Sequence, residues 1–337
     1  HPSGAEDFLP RHYINLRLGV GDKMTGTDAC KNIMREVNSV LSGKEDTVRK
    51  VLTAILAGGN ILIEDIPGVG KTTMAKAFGA AMTLENKRLQ LTMDVMPSDI
   101  TGFTMFDKVK NAFVYKPGVV MCNLLLADEI NRTSSKTQAA LLEVMEEGKV
   151  TVDGRTRHVP EPFIVIATQN PIGSVGTTMP PESQLDRFMF RLDMGYPDKE
   201  SEVAMILSRQ GKTEAVQELK PVINCEDLLF MQQEVNEVFV HEEIVRYIVN
   251  LVDRTRTSPD IELGVSPRGT LALVKAAKAY AYVEGRNYVV PDDVKNVFFE
   301  TVNHRIILSG HGKSQGVKMN GLVENILRTT PVEQGQH

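Results

Sequence analysis

Cysteine is scarce in this 337-residue chain. Cys30, Cys122 and Cys225 lie far apart and form no ligand-spaced pair. That spacing suggests neither a disulfide framework nor a zinc-finger type of site, and it agrees with a reducing cytoplasm. Cys122 sits in an apolar stretch and reads as a small buried hydrophobe. Long apolar runs are missing too. Leu124 to Ala127 and Phe163 to Ala167 have the length of core strands and are too short to span a bilayer, so no membrane insertion is expected. The first residues lack the apolar segment of a signal peptide. The opening His1-Pro2-Ser3-Gly4 does not read as a natural start, and Met24 is the expected beginning. An excess of positive charge is absent as well. Lys plus Arg number 38 against 43 Asp plus Glu, a formal net charge of −5 that counts against nucleic acid as the main partner. What is present is the composition of a soluble globular protein, 42% hydrophobic and 24% charged, in a chain long enough for two domains.

Two organisational halves are legible. Residues 31–57 read as two helices separated at Ser42-Gly43 and ended by Gly58-Gly59. Ile61-Leu62-Ile63 is a short β-branched strand, followed by a loop at 64–72 and a helix over 73–81. Further apolar strands are expected at 88–91, 124–127, 163–168 and 188–192, with helices between most of them. Apolar strands alternating with helices indicate an α/β fold with a mostly parallel sheet flanked by helices. After Tyr196-Pro197-Asp198 the strand signals stop, and helices are expected at 199–209, 226–238, 241–257, 267–282 and 291–306. Asp198 and Ser266-Pro267 supply N-cap and first-turn chemistry. The expected division is an N-terminal extension over 1–30, an αβα domain over 31–197 and a helical domain over 198–337.

The loop Pro67-Gly68-Val69-Gly70-Lys71-Thr72 has the chemistry of a phosphate cradle. Backbone N–H groups of a Gly-rich turn and the dipole of the following helix bind phosphate oxygens. The lysine reaches the terminal phosphates, and the threonine hydroxyl binds Mg²⁺. Thr73 completes the helix start. Asp65 stands where the usual pattern has glycine. The strand Leu124 to Ala127 ends in Asp128-Glu129. In that setting Asp128 would hold Mg²⁺ through water and Glu129 would act as general base on the attacking water. The alternative is a simple acidic helix cap at Asp128.

Three further positions are candidates. The strand ending at Thr168 runs into Gln169-Asn170-Pro171, where Asn170 can order the attacking water, although Asn-Pro alone is only a turn. Arg187, in Glu182-Ser183-Gln184-Leu185-Asp186-Arg187-Phe188, reads either as a surface partner of Asp186 or as an arginine finger offered to a neighbouring subunit. Arg268 follows Ser266-Pro267 in the first turn of a helix. A cation there opposes the helix dipole and needs a compensating anion, for which a γ-phosphate is suited.

Together these motifs look like an AAA+ ATPase over roughly residues 31–305, and within that superfamily the chain resembles the MoxR ATPases. The resemblance is carried by residues 56–72, including the non-glycine Asp65, by Asp128-Glu129-Ile130-Asn131-Arg132 and by Ala167-Thr168-Gln169-Asn170-Pro171. Residues 94–115 fall where the helix-2 insert of that group would be. Lys149 to Arg157, with its Asp153-Gly154 turn, is similar to the pre-sensor-1 hairpin. The resemblance implies a ring, a hexamer, with ATP between subunits and Arg187 acting in trans. It also implies Mg²⁺ as cofactor and chaperone-like remodelling of client proteins, some of them partnered by von Willebrand A domains. Leu41 to Lys44 takes the place where the family contacts adenine. Competing functions are a helicase-like nucleic-acid motor, motivated by Lys149, Arg155, Arg157 and His158, a chelatase-like metal-insertion subunit, and a scaffold that binds ATP without turning it over. The acidic total and the aspartate at the hairpin tip count against the motor.

Overall fold

The structure is a computed structural model that describes residues 13–14, 24–64, 70–169, 180–195, 199–200, 202–203 and 219–332. Two short strands, β1 (Tyr13–Ile14) and β2 (Met24–Thr25), pair antiparallel ahead of the first helix, α1 (Gly26–Asn38). Helix α1 begins earlier than the residue 31 the sequence suggests. The Thr25 side chain accepts from the Asp28 N–H at 3.1 Å and caps it, so part of the expected N-terminal extension is ordered helix. Ala29, Cys30, Ile33 and Val37 form its buried stripe, and α2 (Glu45–Leu56) follows.

The centre is a five-stranded sheet in the order β11 (Phe190–Leu192), β3 (Ile61–Glu64), β10 (Ile164–Gln169), β7 (Leu124–Asp128), β4 (Asn86–Gln90), with every neighbouring pair parallel. The parallel sheet expected from the sequence is present. Period-two alternation divides its side chains between two apolar layers. Ile61, Ile63, Leu124, Leu126, Ile164 and Ile166 pack with α1, α2 and α3 (Lys71–Ala81) on one face. Leu62, Leu125, Ala127, Val165 and Ala167 pack with Leu141 and Leu142 of α5 (Ser135–Glu147) on the other. Both faces are dry, which is why the strands read as continuous apolar runs.

Two hairpins project from this core. The first follows α4 (Pro97–Thr101) as β5 (Gly102–Asp107) and β6 (Ala112–Pro117), running two residues past the insert expected at 94–115. The second is β8 (Lys149–Val152) and β9 (Arg155–His158), turning at Asp153 with φ 52° and Gly154 with φ 72° as an Asp-Gly hairpin requires. The Arg157 guanidinium lies 3.9 Å above the Tyr115 ring and joins the two hairpins.

After β11 the described residues are mainly helical. They form α7 (Cys225–Glu237), α8 (Glu242–Thr257), α9 (Pro267–Val283), α10 (Pro291–Val302), α11 (Gly310–Ser314) and α12 (Met319–Thr329), with the short α6 (Glu182–Leu185) lying before β11. The helix expected over 199–209 falls largely outside the described residues, as does the Asp198 cap. Strands do not stop at residue 198, however. Strands β12 (Ile261–Leu263) and β13 (Ile307–Leu308) form an antiparallel ribbon between helices. Helix α10 also ends at Val302 rather than Ile306. Asn303 caps it, and the chain turns so that Asn303 bonds to the Arg191 carbonyl at 3.0 Å while His304 and Arg305 are buried. Leu273, Ala276 and Ala277 of α9 share one apolar cluster with Val48 and Leu52 of α2, which ties this half to the sheet layer.

Candidate active site

Parallel packing brings the carboxyl ends of β3, β10, β7 and β4 to one edge. Glu64 lies opposite Gln169, and Asp128 lies opposite Gln90. Ligand chemistry in open α/β sheets collects at this edge. Gly70 precedes α3 in a left-handed conformation with φ 100°, and Lys71, Thr72 and Thr73 open that helix, where the N-terminal dipole favours anions. A Cβ added to Gly70 would stand 3.3 Å from Leu41 Cδ2 and 3.9 Å from Met194 Cε. Gly70 therefore lies close to the Leu41 side chain, and Lys44, three residues on from Leu41, is buried and donates to the carbonyls of Met194 and Gly195. Pro67, Gly68 and Val69 lie outside the described residues, as does Asn170.

Asp128 is buried at the tip of β7. One of its oxygens accepts Thr168 Oγ1 at 3.2 Å, and the other accepts Arg88 Nε at 2.6 Å. The Asp128 carboxylate and the Thr72 hydroxyl are oxygen ligands of the kind a hydrated divalent cation takes, and such an ion would compete with Arg88 for the Asp128 oxygen it holds. Glu129 is not a helix cap of the ordinary kind. Its backbone is left-handed (φ 57°, ψ 53°), its N–H donates to Thr168 Oγ1 at 2.9 Å, and its carboxylate accepts Gln90 Nε2 at 2.8 Å and Arg132 Nη1 at 2.9 Å. Non-glycine residues in this region cost on the order of 1–3 kcal/mol and cluster at functional positions. Gln169 beside it is buried. Its Nε2 donates to Glu64 Oε2 at 2.8 Å, while Oε1 has no hydrogen-bond partner among the described residues. A buried acceptor left open at the strand end fits a site completed by something else.

Arg187 and Arg268 meet at a different place. Arg187 Nη1 donates to the Leu142 carbonyl at 2.8 Å and lies 3.2 Å from Glu146 Oε2, and Arg268 Nη2 is 3.1 Å from Glu146 Oε1. Of the two readings the sequence leaves for Arg187, the surface pair with Asp186 is not formed: Asp186 is held by Arg305 at 2.6 Å and by Ser266 at 2.8 Å. The anion that Arg268 needs at its helix start is Glu146. Sequence reasoning missed Arg88, Gln90, Glu146 and Arg305. Gln90 and Arg88 could have been found only by knowing which strand lies beside β7.

The sheet order, the helix opened by Lys71 and the acidic end of β7 define a P-loop nucleotide-binding protein of the AAA class. Residues 60–190 match the ATPase family associated with various cellular activities (AAA), and residues 253–325 match the AAA lid domain. YeaC of Bacillus subtilis (strain 168) is 47% identical over 89% of this chain and 93% of its own length. The protein called chaperone MoxR1 of Mycobacterium tuberculosis is 36% identical over 89% of this chain and 81% of its own length. A crystal structure of a provisionally assigned ATPase from Cytophaga hutchinsonii superposes with a TM-score of 0.85 at 35% identity, covering 92% of this chain and 96% of that one. The chain belongs to the MoxR family of AAA+ ATPases.

Proposed function

We propose that this AAA+ ATPase hydrolyses ATP in a Mg²⁺-dependent reaction, between the subunits of a hexameric ring, and uses the cycle to remodel client proteins. The observation that carries the reading is the posture of Glu129, a strained residue at the end of β7 whose carboxylate is held by Gln90 and Arg132 beside the buried Asp128. In the proposed cycle Gly70 and Lys71 bind and orient the phosphates, together with Pro67, Gly68 and Val69, and Thr73 completes the helix start. Thr72 and Asp128 would hold Mg²⁺, which when bound supplies neutralisation of charge on the β- and γ-phosphates. Glu129 takes the proton of the attacking water, and Asn170 orients that water. Arg187 and Arg268 would meet the nucleotide of a neighbouring subunit, where positive charge stabilises the charge that develops on the transferred group.

The division into a nucleotide-binding domain up to residue 197 and a lid beyond it belongs to the same proposal, with the first domain starting at Gly26. Remodelling is supported by the chaperone designation of the Mycobacterium relative. A cytoplasmic setting is part of the reading too; no helix among the described residues is long and apolar enough to cross a membrane. The experiment is ATP turnover and nucleotide binding by Glu129→Gln. Binding should persist while hydrolysis falls about 10²- to 10⁴-fold, the span of a general base. Turnover equal to that of the parent protein would remove Glu129 from the mechanism.

A further inference from the structure

Two charges in this molecule sit at the wrong ends of their helices. Glu146 lies in the last turn of α5, a turn without a basic residue, and there the helix dipole disfavours an anion. Arg268 lies in the first turn of α9, which carries no acidic residue, and there the dipole disfavours a cation. The structure puts the two side chains together at 3.1 Å and adds Arg187 to the other oxygen of the same carboxylate at 3.2 Å. One carboxylate thus bridges two guanidinium groups drawn from distant parts of the chain.

The bridge is not what holds those two parts in place. Asp186, next to Arg187, accepts Ser266 Oγ, and Ser266 caps the helix that carries Arg268 by accepting the Gly269 N–H at 3.1 Å. Arg305 clamps Asp186 from beneath through its side chain and its carbonyl. If Glu146 let go, the segments that carry the two arginines would still be tied to each other through Asp186 and Ser266. The bridge is also incomplete. Arg187 Nε is buried with no hydrogen-bond partner among the described residues. Its Nη1 is divided between Glu146 and the Leu142 carbonyl. A group with more acceptor oxygens than a carboxylate would serve the pair better. Glu146 and Arg268 have side chains 38% and 45% exposed, open to a group arriving from outside.

We propose that Glu146 is a latch: it holds Arg187 and Arg268 as a pair in the separate subunit and gives way to a terminal phosphate of the neighbouring subunit's nucleotide on assembly. This rests on the reading that both arginines act in trans. Glu146 is a positioning residue that competes with the phosphate, so removing its charge favours the assembled state.

The test is nucleotide-dependent self-association of the full chain, followed by sedimentation velocity with a non-hydrolysable ATP analogue and Mg²⁺. Exposed ion pairs are individually weak, so Glu146→Gln should lower the protein concentration for half-association by about 2- to 10-fold. Turnover per assembled subunit should stay within about twofold, because the positive pair is retained. The same substitution should change association little when Arg187→Gln and Arg268→Gln are both present, a dependence that a general structural effect would not show. Glu146→Ala provides a second variant, and thermal melting checks that each folds. Unchanged or weaker association of both Glu146 variants, with the double arginine variant still losing turnover, overturns the latch alone. Full turnover in the double arginine variant overturns the trans reading beneath it.

Discussion

Replacing Arg305 with methionine tests the scaffold under the two arginines most directly. The side chain is 3% exposed. Its Nε donates to Asp186 Oδ1 at 2.6 Å, Nη2 donates to the carbonyls of Asp186 at 3.0 Å and Phe188 at 2.7 Å, and Nη1 donates to Met189 O at 3.1 Å and to the Thr301 carbonyl. Methionine fills much of the space but strands the Asp186 carboxylate and leaves several buried carbonyls without donors. Breaking a buried pair from one side costs about 3–5 kcal/mol. At roughly 2–4 °C per kcal/mol for a chain of this class, the melting midpoint should fall by about 6–20 °C. Circular dichroism melts of Arg305→Met and of Arg305→Met combined with Asp186→Asn provide the assay. The double variant should recover part of the loss, because the stranded charge is gone. A single variant that melts within about 1 °C of the parent would refute the reasoning, since the clamp would then carry no net stability.

His304 beside it yields a pH prediction. Burial first, and the neighbouring Arg305 charge second, push its pKa well below the ordinary histidine value, so it is neutral when folded and gains a proton more readily when unfolded. Its contribution is therefore fully present above about pH 6.5 and is lost as pH falls below that value towards the folded pKa, at up to about 1.4 kcal/mol per pH unit. Urea unfolding at several pH values should show this acid loss in the parent and a smaller one in His304→Gln; identical slopes would exclude the histidine. Gly102 adopts φ 87°, and a Cβ there would lie 2.4 Å from the Lys116 carbonyl oxygen and 2.6 Å from Tyr115 Oη. Gly102→Ala should cost about 1–3 kcal/mol locally. The expected result is faster amide exchange across residues 102–117 with unchanged exchange in the central sheet.

What the chain determines by itself is the part of the site built from consecutive residues. Lys71 and Thr72 open a helix that follows a strand closely in sequence, and Asp128-Glu129 stand where an apolar strand ends, so both pairs are found by reading along the chain. The Asp153-Gly154 turn is legible for the same reason, since left-handed backbone is cheap for those residue types. Tertiary structure decides the remainder. Arg88 and Gln90 find Asp128 and Glu129 only because β4 pairs with β7, and strand order is not written in any short window. The β12–β13 ribbon pairs strands of three and two residues, too short for periodicity to register. Arg187 and Arg268 could each be singled out along the chain, but the carboxylate they share could not. Glu146 looks like any charged residue near a helix end, and it gains its place only when folding carries two unfavourably placed charges to each other, where each relieves the other's conflict with its own helix dipole.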